Sequence, residues 1–179
     1  MRKLIESTFM TLNGVIDNPQ NWSGPYWDDE YMAYNAALME GVDAQVLGRV
    51  TYEGFAEAWS QRAGDPFADK FNAMPKYVAS RTLKEATWNA QILQGDAAQA
   101  VAELKKQDGG DLIKYGTGEF DKSLLEHKLV DEYHFWIQPV LATGETMFQN
   151  VDLDITHLEL LGTTTFKSGI VVHKLGPKA

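Results

Sequence analysis

Three short segments share one arrangement, in which a brief apolar run ends, a small or hydroxyl residue follows, and a helix or turn begins. They are Gly48-Arg49-Val50-Thr51, Ser80-Arg81-Thr82 and Gly116-Thr117-Gly118. In an open α/β sheet the carboxyl ends of neighbouring strands line one crevice, where helix N-termini present unpaired N–H groups to anions. Three such ends together make a phosphate cradle. Gly48 lets a backbone come close, and Arg49 and Thr51 supply a guanidinium and a hydroxyl; alternatively Arg49 pairs with Glu53 or Glu57 along a helix and Thr51 only caps it. Ser80-Arg81-Thr82 sets one cation between two hydroxyls with no acid at that point, which suits a 2′-phosphorylated ribose and so favours NADPH over NADH. The alternative there is an ordinary polar strand end with an exposed Arg. Gly116-Thr117-Gly118 lacks the third glycine of a dinucleotide fingerprint, which leaves it as a close-approach loop for a pyrophosphate.

A second group lies just after the first strand, where Trp22, Tyr26 and Trp27 stand beside Asp28, Asp29 and Glu30. Flat aromatics with a carboxylate can sandwich a planar heterocycle and accept hydrogen bonds from its ring N–H or amino groups. Trp22, Trp27, Asp28 and Asp29 are therefore the candidate substrate contacts. The bland account is that the aromatics cover the core and the acids cap a helix; it suits two of the three acids and leaves one as an anchor. Other chemistries lack their residues. His127, His134, His157 and His173 show no metal-ligand spacing, Asp152 and Asp154 lack the glycine and closing Glu of a calcium loop, and no G-x-S-x-G elbow is present.

These residues need strands and helices to hold them. Lys3 to Met10 reads as a buried first strand, followed by a turn at Thr11-Leu12-Asn13-Gly14 and a long loop that resembles a functional lid. Asp28 and Asp29 open a helix with Tyr31, Tyr34 and Leu38 on one face and Gly41 as its stop. Gln45–Leu47 is a short strand, Thr51–Ala58 a helix, Phe67–Met74 a short helix, Lys76–Ala79 a strand and Gln91–Leu93 a weak one. Asp96 caps a helix with Ala97, Val101 and Leu104 inward. Asp111–Tyr115 is a strand, and a helix with Phe120, Leu124 and Leu125 inward follows. Tyr133–Val140, Leu158–Thr165 and Ile170–Leu175 are strand-like with no helix between them, which predicts antiparallel additions to a mostly parallel α/β sheet.

Composition narrows the partners. The 179 residues suit one domain, and 44% hydrophobic against 23% charged residues gives apolar surface enough for one core. A net charge of -9 supplies no excess of cations for nucleic acid or an anionic membrane, so any bound anion must be held locally. The absence of cysteine removes disulfides, thiolate chemistry and cysteine-ligated metals. Glu6 interrupts the first apolar run, so no signal peptide is expected, no run reaches the roughly 18 apolar residues of a span, and the cytoplasm is the expected location.

Taken in order, Leu47-Gly48-Arg49-Val50-Thr51-Tyr52-Glu53, Val78-Ala79-Ser80-Arg81-Thr82, Tyr115-Gly116-Thr117-Gly118-Glu119 and Leu124-Leu125-Glu126-His127-Lys128-Leu129-Val130-Asp131-Glu132 resemble a known family. It comprises stand-alone proteins similar to the C-terminal reductase domain of riboflavin biosynthesis (RibD), within the dihydrofolate-reductase-like fold. Arg2-Lys3-Leu4-Ile5, Leu12-Asn13-Gly14-Val15-Ile16 and Phe166-Lys167-Ser168-Gly169-Ile170-Val171 fit as well, so the resemblance spans the chain. It implies a three-layer α/β domain over residues 1–179, with a mostly parallel central sheet and C-terminal antiparallel strands. It also implies an NADPH site. Gly48, Arg49, Thr51 and Tyr115-Gly116-Thr117-Gly118 would face the phosphates, Ser80, Arg81 and Thr82 the 2′-phosphate, and Val15 and Ile16 the nicotinamide. The implied activity is hydride transfer to a C=N or C=O bond of a small pterin-like or pyrimidine-like heterocycle, in a homodimer. The rival expectation is a dinucleotide-binding module without turnover, acting as a sensor or dimeric interaction protein. The family's bifunctional enzymes also carry a zinc deaminase, whose cysteine signature cannot exist in this sequence. The stretch from the acidic helix start to Leu47 is longer than in dihydrofolate reductases, which leaves the choice between Asp28 and Asp29 open.

Overall fold

Among the described residues the apolar runs resolve into eight strands of one sheet: β1 (Leu4–Thr11), β2 (Val42–Gly48), β3 (Lys76–Ala79), β4 (Ala90–Ile92), β5 (Asp111–Tyr115), β6 (Glu132–Gln138), β7 (Leu158–Thr165) and β8 (Val171–Pro177). Five helices connect them: α1 (Asp29–Glu40), α2 (Arg49–Trp59), α3 (Pro66–Ala73), α4 (Ala97–Lys106) and α5 (Glu119–Glu126). The computed structural model describes residues 1–178. Strand order is β4-β3-β2-β5-β1-β6-β8-β7. The first six strands in that order run parallel, while β8 is antiparallel to β6 and β7 to β8.

Alternation along the strands divides the core into two sides. Ile5, Ile113 and Trp136 meet α1, α2 and α3 through Tyr31, Met39, Phe55 and Phe71. Leu4, Met10, Val46, Leu112 and Phe135 meet α4 and α5 through Val101, Leu104 and Leu124. The result is three layers of the dihydrofolate-reductase-like kind, with strand C-termini and their loops at one end of the parallel portion.

Local chemistry sets the helix ends. Asp28 caps α1 by accepting from Tyr31 N at 2.8 Å, and Asp96 caps α4 by accepting from Gln99 N at 2.8 Å. Some boundaries differ from the sequence reading. Strand β2 starts at Val42 rather than Gln45, because a bulge between Val42 and Ala44 turns Asp43 out to Arg2, which pairs with it. Helix α2 starts at Arg49 rather than Thr51, since extended Gly48 already serves as its N-cap. The buried face of α4 holds Ala98, not Ala97. Strand β6 ends at Gln138, before Pro139 and Val140. In the long loop, two short 3-10 turns at Pro19–Asn21 and Gly24–Tyr26 fold the chain over the end of the sheet.

Candidate functional site

The three predicted tips lie on adjacent strands. Gly48 is in register with Ala79, and two residues beyond the Val46–Lys114 pair the sheet brings Gly116 level with Gly48. Side chains join the tips as well. Arg49 Nη1 donates to Thr82 Oγ1 at 2.6 Å, and Thr51 Oγ1 reaches the Tyr115 carbonyl at 3.5 Å. Arg49 Nε also pairs with Glu53 at 2.8 Å, so the guanidinium spans the helix acid and the β3 turn together. Of the helix partners weighed from the sequence, Glu53 takes Arg49 and Glu57 takes no part.

Each tip has its own geometry. Ser80 Oγ accepts from Leu83 N at 3.0 Å and Thr82 N at 3.3 Å, shaping a turn that leaves Arg81 and Thr82 exposed. Gly116 has φ 70, a left-handed conformation costly for other residues, and a Cβ there would lie 3.4 Å from Thr51 Oγ1. Tyr115 contributes only backbone at this end; its ring packs against Phe55 and Phe71 on the α1–α3 side. Gly118 caps α5, and its N–H is taken by Asp121 Oδ2 at 2.6 Å.

Val15 and Ile16 are pinned at the same end of the sheet by a segment that the sequence reading missed. Val15 bridges Thr146, Ile16 N donates to Glu145 O at 2.9 Å, and Met147 N donates to Gly14 O at 2.9 Å. One residue on, Phe148 N donates to Thr117 Oγ1 at 3.3 Å. Gly144–Phe148 thus ties the Val15 loop to the Gly116 loop. A signal existed: Thr143-Gly144-Glu145-Thr146 repeats the glycine-and-hydroxyl pattern after a strand end.

The aromatic loop is more self-contained than its composition suggests. Trp22 is buried and donates from Nε1 to Asp17 O at 3.0 Å. Trp27 is 45% exposed and stacks on Tyr31, with ring centroids 5.5 Å apart and planes 1° from parallel. Beneath it, Tyr31, Phe9 and Trp136 contact one another edge-on. Asp28 Oδ1 caps α1 while Oδ2 accepts from Ser168 N at 3.2 Å; the bond from Tyr31 N foremost lowers its carboxyl below the usual range. Glu30 accepts from Lys167 N at 2.8 Å. Two acids therefore anchor the β7–β8 turn, and Asp29 stands exposed on the first turn of α1. Two surface concavities, about 340 Å³ beside Trp88 and about 500 Å³ between Leu125 and Ile155, lie away from the tips.

Fold and crevice together define an open, mostly parallel α/β protein of the dihydrofolate-reductase-like class. The chain belongs to the RibD C-terminal domain family, whose sequence model matches residues 2–172. It is 29% identical to protein YyaP of Bacillus subtilis (strain 168), over 95% of this chain and 92% of that protein. Among solved structures it is similar to a putative riboflavin biosynthesis protein from Shewanella sp. PV-4, with TM-score 0.77, 19% identity and 99% of both chains covered. A pyrimidine reductase-like protein from Corynebacterium diphtheriae superposes with TM-score 0.68 at 13% identity, over 99% of this chain and 92% of that one. A Thermotoga maritima diaminohydroxyphosphoribosylaminopyrimidine deaminase/5-amino-6-(5-phosphoribosylamino)uracil reductase gives TM-score 0.69 at 13% identity. The match covers 99% of this chain but only 57% of that bifunctional protein.

Proposed function

We propose that the protein is a cytoplasmic NADPH-dependent reductase acting on a small planar heterocycle, pterin-like or pyrimidine-like. The convergence of the tips of β2, β3 and β5 carries this reading, since it gathers Arg49, Thr51, Thr82 and the Gly116 loop in one crevice. The residues suit the cofactor: Gly116 permits close backbone approach, the hydroxyls of Thr51 and Thr117 can donate to phosphate, and exposed Arg81 offers a cation beside the Thr82 hydroxyl. When bound, NADPH supplies the hydride. The chain's residues would hold the phosphates at the three tips, orient the nicotinamide against Val15 and Ile16, and exclude water beneath the aromatic loop. Asp29, whose neighbours Asp28 and Glu30 are committed to the β7–β8 turn, would anchor the heterocycle's N–H groups.

Tryptophan fluorescence titrated with NADPH tests the cofactor, and absorbance of the reduced nicotinamide with dihydropterin, pyrimidine and quinone substrates tests turnover. Quenching that saturates, followed by oxidation with one substrate class, is the expected result; no quenching would overturn the reading.

The rival reading, a dinucleotide-binding module without turnover, has an observation of its own. Phe9, Tyr31 and Trp136 fill the space beside the end of β1 with one another. Saturable NADPH binding with no oxidation across the panel would favour it.

A homodimer fits either reading. Strand β7 pairs on one side only, with Leu160 61% and Leu161 47% exposed, and such an edge invites a second strand. Leu160→Lys is expected to shift a dimer to monomer in light scattering.

A further inference from the structure

Three ionisable side chains are buried directly beneath the Gly116-Thr117-Gly118 loop. Glu6 on β1, Lys114 on β5 and Asp121 on α5 are 0%, 2% and 1% exposed. Lys114 Nζ lies 2.7 Å from Asp121 Oδ1, an ion-pair contact without the alignment of a hydrogen bond, and 3.7 Å from Glu6 Oε2. Removing such charges from water costs several kcal/mol per ion unless good geometry offsets it, so the cluster is a poor device for stability alone.

Its hydrogen bonds point to another use. Lys114 Nζ donates to the carbonyl of Gly116, and Asp121 Oδ2 accepts from the N–H of Gly118 at 2.6 Å. Asp121 N returns a bond to Gly118 O at 2.9 Å, which closes the first turn of α5 on its own cap. Both ends of the glycine loop are therefore fastened to one ion pair, and Thr117 between them is free to project its hydroxyl, which accepts from Phe148 N. Neither oxygen of Glu6 has a hydrogen-bond partner. Burial foremost pushes the Glu6 carboxyl well above the usual range, with Lys114 opposing the shift and the Asp121 carboxylate adding to it. Burial works against the Lys114 ammonium, but the Asp121 carboxylate beside it, with Glu6 adding to the effect, outweighs this and raises it above the usual range.

We propose that Lys114 and Asp121 are positioning residues that hold the Gly116-Thr117-Gly118 loop from beneath in the shape that receives an anion, with Glu6 completing the cluster. The anion's identity as the cofactor pyrophosphate rests on the reductase reading; the fastening of the loop does not. Asp121 is Lys114's close counterion, and Glu6 Oε2 at 3.7 Å leaves the ammonium a second carboxyl beside it when the Asp121 charge is removed. Substitutions at Asp121 that take the acceptor away from Gly118 N–H should therefore leave the fold standing while the loop loses its tie.

The test separates holding from stability. In the triple variant Glu6→Met/Lys114→Met/Asp121→Leu the melting temperature should stay level or rise, while amide hydrogen exchange across residues 115–119 speeds up 10-fold or more and exchange in β1 and α4 is unchanged. Should the triple variant not fold, Asp121→Leu and Asp121→Asn decide. The Leu variant should give the same fast exchange, and the Asn variant, which keeps an acceptor for Gly118 N–H, should stay within about 3-fold of the unsubstituted protein. Loop exchange that is unchanged in the folded triple variant, or equal in the Leu and Asn variants, overturns the proposal. The cofactor arm reports separately. If the unsubstituted protein binds NADPH, the Leu variant should weaken NADPH and NADH by one common factor of about 10; if it binds neither, the reductase reading fails and exchange alone still decides the loop.

Discussion

Arg49 and Thr82, 33 positions apart in the chain, are joined by a 2.6 Å hydrogen bond from Nη1 to Oγ1 that ties the start of α2 to the turn after β3. An anion reaching the crevice therefore meets a guanidinium already held in place, with less orientation left to lose on binding. Arg81, next to Thr82, is exposed. The two arginines should separate by cofactor. Arg49→Ala is expected to weaken NADPH and NADH alike, whereas Arg81→Ala should weaken NADPH by about 10–100-fold, the worth of a charged hydrogen bond, and leave NADH within a few-fold. Dissociation constants from fluorescence quenching decide this, and equal losses for Arg81→Ala would remove the assignment of the 2′-phosphate.

The adjacent carboxylates Asp28 and Asp29 differ in what already binds them. Asp28→Ala removes the cap on Tyr31 N and the tie to Ser168 N, so it should lower the melting temperature, by roughly 2–4 °C if the cap behaves as helix caps usually do. Asp29→Asn should leave the melting temperature alone and reduce turnover with a heterocyclic substrate. Reversal of those two outcomes would exchange the roles.

At Gly144 a side chain has no room. A Cβ built there lands against the Asp17 carboxylate and within 2.8 Å of Val15 Cγ1. Gly144→Val should therefore push Val15 and Ile16 away from the Gly116 loop, with 10-fold or greater loss of NADPH binding and a smaller change in melting temperature. Calorimetry with NADPH, beside a thermal melt, measures both.

Acid stability has an identifiable contributor at the opposite end of β6. Burial would raise the Glu132 carboxyl, but hydrogen bonds from Lys174 at 2.8 Å and Lys3 at 2.6 Å win and lower it to about 2. A folded-state value below the ordinary 4.5 means that the unfolded chain binds the proton more readily. The stabilisation is thus fully present above about pH 4.5 and is lost as pH falls towards 2. Urea midpoints across this range should fall less steeply for Glu132→Gln than for the unsubstituted protein.

Much of the frame is legible in local sequence. Strands β3, β5 and β7 run over the residues that their apolar patterns predict, and Asp28, by its carboxylate, and Gly41 bracket α1 as expected. What escapes depends on distant partners. Asp43 meets Arg2 across a bulge, and Lys114 and Asp121 are buried against Glu6, pairings that no local pattern announces. In the site, the glycines and hydroxyls mark the three tips because each follows an apolar run at a strand end. Asp28 is harder, since a cap and a substrate anchor need the same carboxylate and only Ser168, 140 positions away, shows how its second oxygen is used. The Gly144–Phe148 segment escaped because its role lies in backbone pairing with residues 14–16.

The placement of β5 between β2 and β1 bears on how the molecule is made. Strand β1 does not pair with β2; its neighbours, β5 and β6, both belong to the later part of the chain. During synthesis the first strand must wait, without a pairing neighbour, until more than a hundred further residues have left the ribosome. A nascent chain halted before Asp111 would hold sticky unpaired edges and need a chaperone's shelter, whereas one released after Gln138 could close the central sheet at once.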